Sequence, residues 1–548
     1  MTVKGTEMKF DRKLREQNND EIWQEYCGFL DLSLDEFMSI QFRLMEEQIE
    51  KWSRCGLGKA MLDGRTTSSV EEFRRTFPLT TYEDYADVLL HKRSEMLPDE
   101  PIVWIQTTWE GGRHPVKLAP YSKSMLDTYR NNVVSCLILS SSTAKGAYSV
   151  EPGNTMLYGL APLPYATGLL PLLLDDEIHL EYLPPVKEAE KMSFSERNKL
   201  GFKLGLKKGI DFFFAVGSVT YYISSSFAKM SGGGSKKGIK NVFQYSPALI
   251  ARYISGKKKA AREGRSIAPK DVFRLRGFMC AGTDNRCYKD DLEKLWGIRP
   301  VEVFAGTEPG CLGCETWARN GLYFFPDSCF LEFIPESEME RSLADGSYEP
   351  QTCLMNEVIA GEVYELVISV FKGGAFMRYR VGDVYRCLGS DGADSGVKLP
   401  RFEYIDRIPT VIDIAGFTRI TENSVEQALR LSGLQVEDWI ACKEFSEENR
   451  PYMHIYVEMR SKTAHTVALT REVIREHLSV YFKYLDNDYQ DLKKILGIDP
   501  LKITMLPLGA FKKYYSEGHD ALRRINPPAH EKLAFMRCCG LPFTGGVY

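Results

Sequence analysis

Behind Ser33-Leu34-Asp35-Glu36, whose Ser and Glu stand at capping-box spacing, Met38, Phe42, Met45, Ile49 and Trp52 recur at helical intervals. The pattern predicts an amphipathic helix packed on a core, with Gly56 as its stop. From Phe273 to Gly310 the rhythm changes to short apolar runs ending in small residues, as in Phe278-Met279-Cys280-Ala281-Gly282 and Val301-Glu302-Val303-Phe304-Ala305-Gly306, separated by helix-like stretches. Strands alternating with helices predict a mainly parallel, helix-covered sheet with ligands beyond the carboxyl ends of its strands. After about Asp406, Met453 to Arg460 alternates apolar and polar residues, which predicts a strand buried on one face and wet on the other. A helix with Ile474, Leu478 and Tyr481 turned inward follows it. The expected fold is α/β: a large N-terminal domain over residues 1–405 and a small α+β C-terminal domain over residues 406–548.

Composition narrows the class. A chain of 548 residues exceeds what one hydrophobic core supports, and 44% hydrophobic with 26% charged residues is that of a globular protein. Lys and Arg number 70 against 74 Asp and Glu, a formal charge of -4, so no dedicated nucleic-acid or membrane surface is expected. The apolar runs Leu169–Leu174 and Ile210–Val219 are shorter than the ~20 residues that span a bilayer. The first twenty positions lack the apolar core of a secretory signal, and a cytoplasmic location is expected. The 13 cysteines predict free buried thiols, with a four-thiolate zinc site at Cys280, Cys287, Cys311 and Cys314 as the open alternative.

Candidate chemistry falls in a series of segments: Phe77 to Tyr85, Thr107 to Lys117, Ala161 to Gly168, Cys280 to Asp284, Phe304-Ala305-Gly306-Thr307-Glu308, Tyr379-Arg380-Val381-Gly382-Asp383, Phe402 to Arg407 and Val411 to Arg419. In this order they resemble the adenylate-forming (acyl-activating) enzyme superfamily, most closely its branch of Gretchen Hagen auxin-responsive acyl-amido synthetases and their microbial relatives. The resemblance implies that Phe304 packs on adenine, Thr307 meets a phosphate, Glu308 holds Mg²⁺, and the backbone at Gly282 and Thr283 approaches the base. It implies that Asp383 accepts from both ribose hydroxyls, which suits a group that offers only acceptors. Arg407 becomes a nucleotide ligand, Thr107 and Thr108 part of the phosphate loop, and Asp406-Arg407 a hinge about which a mobile small domain turns. Tyr165, Thr167 and Phe214 become the wall of a pocket for a hydrophobic or aryl acid. Plainer alternatives stand beside these: a strand-end turn at Phe304–Glu308, an interdomain salt bridge at Arg407, and core packing for Phe212, Phe213 and Phe214.

Two segments depart from the superfamily pattern. Thr107 to Lys117 lacks the Gly-Thr core of a phosphate loop and carries Trp109 and Glu110; a carboxylate ~4 Å from a phosphate charge costs ~4 kcal/mol at an intermediate dielectric. Near the C-terminus Asn526 stands where relatives carry a lysine, leaving Lys117 or Arg524 to meet charge developing in the reaction. The implied activity is an ATP- and Mg²⁺-dependent ligase that adenylates a small carboxylic acid and transfers the acyl group to an amine or amino acid. Thioester formation with coenzyme A, a redirected homologue that uses an already activated acyl donor without ATP, and a non-catalytic binding protein are the alternatives.

Overall fold

Ser33 caps the expected helix, Leu34–Arg54: its backbone N–H donates to Glu36 Oε2 at 2.8 Å, and the Glu36 N–H donates to Ser33 Oγ at 3.3 Å. Met38, Met45, Ile49 and Trp52 are buried along one stripe of it. Gly56 does not cap this helix but belongs to the next, Gly56–Leu62, where a Cβ would lie 2.5 Å from the Met96 sulfur. Close approach, not a left-handed turn, favours glycine there, since a Cβ would displace the Met96 side chain. These coordinates are a computed structural model, which describes residues 8–541 except 66, 68, 108–113, 190, 233–245, 391, 393–394, 417, 462–466 and 483–487.

Strands β1 (Val103–Gln106) and β2 (Leu118–Tyr121) form an antiparallel pair. The main sheet contains β3 (Thr155–Gly159), β4 (Glu181–Leu183), β5 (Phe212–Val216), β6 (Gly277–Ala281), β7 (Val301–Gly306), β8 (Gly310–Glu315), β9 (Leu322–Phe324), β10 (Cys329–Pro335), β11 (Val363–Val370), β12 (Tyr379–Gly389) and β13 (Arg401–Arg407). Its order is β10-β11-β12-β13-β9-β8-β7-β6-β5-β3-β4. The α/β class is as expected, but the sheet is mixed rather than mainly parallel. Pairing is parallel from β4 to β7 and antiparallel from β7 to β10. Connection length is the reason. A parallel return needs a crossover, which helix Arg286–Trp296 supplies between β6 and β7, whereas Thr307-Glu308-Pro309 is long enough only for a reversal into β8. Along β6 the side chains alternate between two cores, Phe278 and Cys280 in one and Met279 and Ala281 in the other.

Beyond β13 come the short hairpin β14 (Ile412–Ile414) with β15 (Thr418–Ile420) and a three-stranded sheet of β16 (Val436–Phe445), β17 (Pro451–Met459) and β18 (Leu501–Met505). Ile474 and Leu478 are buried on helix Val467–Ser479, as the pattern predicts. The strand β17 differs from expectation: His454, Tyr456 and Glu458, on its supposedly wet face, are each 3% exposed. Helices Ala510–Ser516 and Ala529–Cys538 cover that face, with Tyr456 packed among Phe511, Tyr514 and Phe535. Its polar groups are satisfied internally. Glu458 accepts the backbone N–H groups of Gly509 and Phe511, and Glu444 accepts from Tyr452 (2.9 Å), His454 (2.8 Å), Tyr456 (2.8 Å) and Lys532 (2.8 Å). Among the described residues, no helix is long and apolar enough to cross a membrane.

Burial alone would raise the Glu444 carboxyl, but the bonds from His454 and Lys532 outweigh it and hold the pKa at about 2, below its ordinary 4.5. The depressed value contributes stability that is present above the unfolded pKa and lost as pH falls from about 4.5 through about 2, worth about 3 kcal/mol. Urea titrations over that range are expected to show the loss in the wild type. Glu444→Gln should start lower at pH 7 and lack most of the acid-dependent decline.

Candidate active site

Because β6 and β7 are parallel neighbours, their carboxyl ends place two loops side by side: Gly282-Thr283-Asp284 after β6 and Thr307-Glu308-Pro309 after β7. Gly282 has φ +94°, a conformation side chains resist. The second loop is held from two directions. The Tyr121 hydroxyl donates to the Thr307 carbonyl at 2.9 Å, and the Tyr379 hydroxyl, from the start of β12, donates to Glu308 Oε1 at 3.0 Å. Glu308 is buried, and Thr307 is half-buried.

The antiparallel pairing of β12 with β13 sets Asp383 opposite Arg407. Arg407 Nη2 lies 3.4 Å from Asp383 Oδ1, Nη1 donates to the Val381 carbonyl at 3.1 Å, and Nε is buried without a hydrogen-bond partner, 3.9 Å from Asp413 Oδ2. Lys117 enters from the β1–β2 hairpin, which the Thr107 N–H closes on the Lys117 carbonyl at 3.0 Å and the Lys117 N–H closes on Thr107 Oγ1 at 3.1 Å. Its ammonium lies 5.8 Å over the Tyr82 ring. Burial lowers the Lys117 pKa, with Arg407 adding to the effect and Glu308 and Asp383 opposing it. Asp383 is pushed up to about 6 by burial, with Arg407 opposing and Asp413 and Glu308 contributing. Lys117, Glu308, Asp383 and Arg407 thus form one electrostatic group drawn from four segments.

The remaining predicted residues divide. Phe304 is half-buried, its ring edge-on to Tyr385 with centroids 5.4 Å apart, and the buried hydroxyls of Tyr385 and Tyr404 are without partners. Thr283 Oγ1 donates to Asp413 Oδ1 at 2.7 Å. Thr167, Phe214 and Gly282 line an apolar cavity of about 120 Å³; Tyr165 is not among its lining residues and stands beside β1, bridged to Gln106. Thr108 lies outside the described residues, as do Trp109, Glu110 and Arg113.

The structure does not bring Arg524 to the group. The bridge of Ile525 to Ala441 buries Ile525, while the Arg524 guanidinium pairs with Glu426, with Asp438 at 3.2 Å and with Glu422 at 3.5 Å. The zinc alternative also fails, because Cys280 and Cys287 lie in one core and Cys311 and Cys314 in the other, on opposite sides of the sheet. Cys311 instead meets Cys136, sulfur to sulfur, at 3.6 Å.

Residues 322–407, which run from β9 through β13 and include Asp383 and Arg407, match the model of the GH3 family central domain. A solved structure of 2-hydroxyisobutyryl-CoA ligase, in complex with 2-HIB-AMP and CoA, shares the fold with a TM-score of 0.57 and 14% identity over 88% of each chain. The chain shares the fold of that ligase, and its residues 322–407 are similar to a GH3 central domain. Two curated relatives are jasmonoyl–L-amino acid synthetases. JAR4 of Nicotiana attenuata is 26% identical over 196 residues, 34% of this chain and 30% of its own length. GH3.5 of Oryza sativa subsp. japonica is 28% identical over 200 residues, 34% and 32%. The chain spans about a third of the length of these relatives.

Sequence reasoning missed Lys443, on β16. Buried, its ammonium reaches Asp284 Oδ1 at 2.8 Å, in the loop after β6, and Asp406 Oδ2 at 3.0 Å, at the end of β13. Its backbone N–H donates to the side chain of Asn526, which occupies the position of the expected lysine. A lysine in the apolar run Ile440-Ala441-Cys442 was the available signal, but no motif marks it. Burial would lower its pKa, yet Asp284, Asp406 and Asp413 raise it, so the ammonium stays charged. Lys443→Met is expected to cost about 3–5 kcal/mol in urea unfolding, since it strands buried carboxylates. Adding Asp284→Asn should restore part of that loss in a double-mutant cycle.

Proposed function

We propose that the chain is an ATP-dependent acid–amine ligase, which adenylates a carboxylic acid and transfers the acyl group to an amine or amino acid. The observation that carries this is the convergence of Lys117, Glu308, Asp383 and Arg407 beside the loops that also open the apolar cavity. An acid whose tail enters the cavity would present its carboxylate between Gly282 and Ala305, next to Thr307 and Glu308. The likeness to jasmonoyl–L-amino acid synthetases supports an amino-acid acceptor.

The residues fit a nucleotide. Arg407 Nε is a buried donor lacking a partner, Asp383 offers acceptors beside it, and the half-exposed Phe304 ring and bare Gly282 leave room for a base. They also fit Mg²⁺, which commonly takes one or two carboxylates together with substrate phosphates and water; Glu308 is that carboxylate, oriented by Tyr379. Bound there, the ion would supply neutralisation of phosphate charge.

In the first half-reaction a carboxylate oxygen of the acid attacks the α-phosphorus and the bond to pyrophosphate breaks. Lys117 and Arg407 stabilise the charge that builds on the phosphate oxygens. Asp383, ionised, accepts from the ribose hydroxyls and fixes the nucleotide. In the second, the amine nitrogen attacks the acyl carbon, the bond to AMP breaks, and the nitrogen releases a proton. Residues 406–548 form the small domain of this proposal, turning near Asp406-Arg407 between the two steps. That turn requires the Lys443 contacts with Asp284 and Asp406 to part.

Acid-dependent exchange of labelled pyrophosphate into ATP tests the first step. Glu308→Ala is expected to lower the exchange rate ~10²-fold or more. Full activity in that variant would remove Glu308 from the mechanism. No exchange with any acid, together with no nucleotide binding by calorimetry, would favour an already activated acyl donor instead. With Asp383 pushed up to about 6 by burial, adenosine affinity is expected to weaken as pH falls from 7 to 5, and Asp383→Asn should bind weakly with no step in that range.

A further inference from the structure

The apolar cavity beside the proposed active site has a defined mouth and floor. Gly282, which is exposed, and the half-buried Ala305 mark the mouth, whereas Leu137, Cys136, Leu174 and Met279 are at most 2% exposed and form the floor. Its walls belong to the core of the fold. Helix Lys123–Ser141 supplies Cys136 and Leu137, β5 supplies Phe214, and β6 supplies Met279, so the volume is set by elements that do not move independently.

Among the described residues no charged side chain lines this cavity, and the Thr167 hydroxyl is already committed, donating to the Ala161 carbonyl at 2.9 Å. At about 120 Å³ it is somewhat smaller than an apolar protein cavity of ~150 Å³ that stays dry and binds benzene. A tail that filled it would hold about one six-membered ring or a short alkyl chain. The other polar groups of its lining residues are the Tyr129 hydroxyl and the Cys136 and Cys311 thiols, so a polar group on the tail away from these would surrender its water without finding a partner.

We infer that the acid used by this site carries a compact, predominantly apolar tail of about one ring, seated against Leu174, Phe214 and Met279 with its carboxylate at the Gly282–Ala305 mouth. The inference rests on the adenylation proposal and specifies its substrate class. Leu174 and Phe214 become the residues that limit tail length, and cutting either to alanine lengthens the cavity.

The test is acid-dependent pyrophosphate exchange with benzoate, hexanoate, 2-naphthoate, dodecanoate and 4-hydroxybenzoate, run with wild type, Leu174→Ala and Phe214→Ala, each first checked for wild-type circular dichroism. The wild type is expected to use benzoate and hexanoate at least about tenfold better than the other three, the discrimination that a hydrophobic pocket gives for misfitting groups. At least one folded variant should gain on 2-naphthoate or dodecanoate relative to benzoate. A wild type preferring dodecanoate, 2-naphthoate or 4-hydroxybenzoate overturns the inference and leaves adenylation standing. So does an order of preference that neither folded variant changes. Calorimetric binding of benzoate, run in parallel, separates the two proposals: binding that Phe214→Ala weakens, without exchange, upholds the tail pocket and overturns adenylation. Neither binding nor exchange overturns both.

Discussion

A buried arginine needs a counter-charge, and the way Arg407 obtains one organises the centre of this protein. Removing a guanidinium from water costs several kcal/mol unless carboxylates and carbonyls replace the solvent. Arg407 closes β13, the last strand of the main sheet, and is met by Asp383 across the ladder, by the Val381 carbonyl, and by Asp413 from the hairpin that begins the C-terminal part. Asp413 in turn takes the Thr283 hydroxyl from the loop after β6. One cation therefore ties the sheet, the β6 loop and the C-terminal segment to a common point. Its Nε is buried there without a hydrogen-bond partner.

The reversal of the sheet at Thr307-Glu308-Pro309 sets the second constraint. On the parallel side, alternation along β6 and β7 sends Met279, Ala281, Val303 and Ala305 towards the apolar cavity. Phe304 emerges on the other face, against Tyr385. In the proposed function the apolar tail and the polar nucleotide take different faces of the same two strands and meet at the loops where those strands end. The Lys443 contacts with Asp284 and Asp406 hold the C-terminal sheet against this meeting place. They add charge to an apolar seam in which Ile223, Tyr288 and Trp296 share one core with Ile412, Trp439, Ile455 and Leu492.

Much of the architecture was legible in residue order. The Ser33 cap and the stripe from Met38 to Trp52 made one long helix, and the small-residue loops at Gly282 and Thr307 did fall at strand ends. Local pattern misled where partners came from far away. His454, Tyr456 and Glu458 read as a wet face because alternation records polarity, not solvent, and helices more than fifty residues downstream supply both cover and hydrogen bonds. The cysteines near Thr307 suggested one cluster, but strand alternation and the thickness of the sheet divide them.

By itself the sequence determined the α/β class and the helical and strand periods, and it set Thr307, Glu308, Asp383 and Arg407 in short motifs, because periodicity and motifs are properties of neighbours along the chain. Tertiary structure decided that the sheet is mixed, that Lys117 joins this group while Arg524 pairs with a distant acidic surface, and that Lys443 is the cation between Asp284 and Asp406. It also set the volume of the apolar cavity. Those outcomes depend on which remote segments come within a few ångströms of one another. Burial and Coulomb interaction act across that distance whatever the separation in sequence.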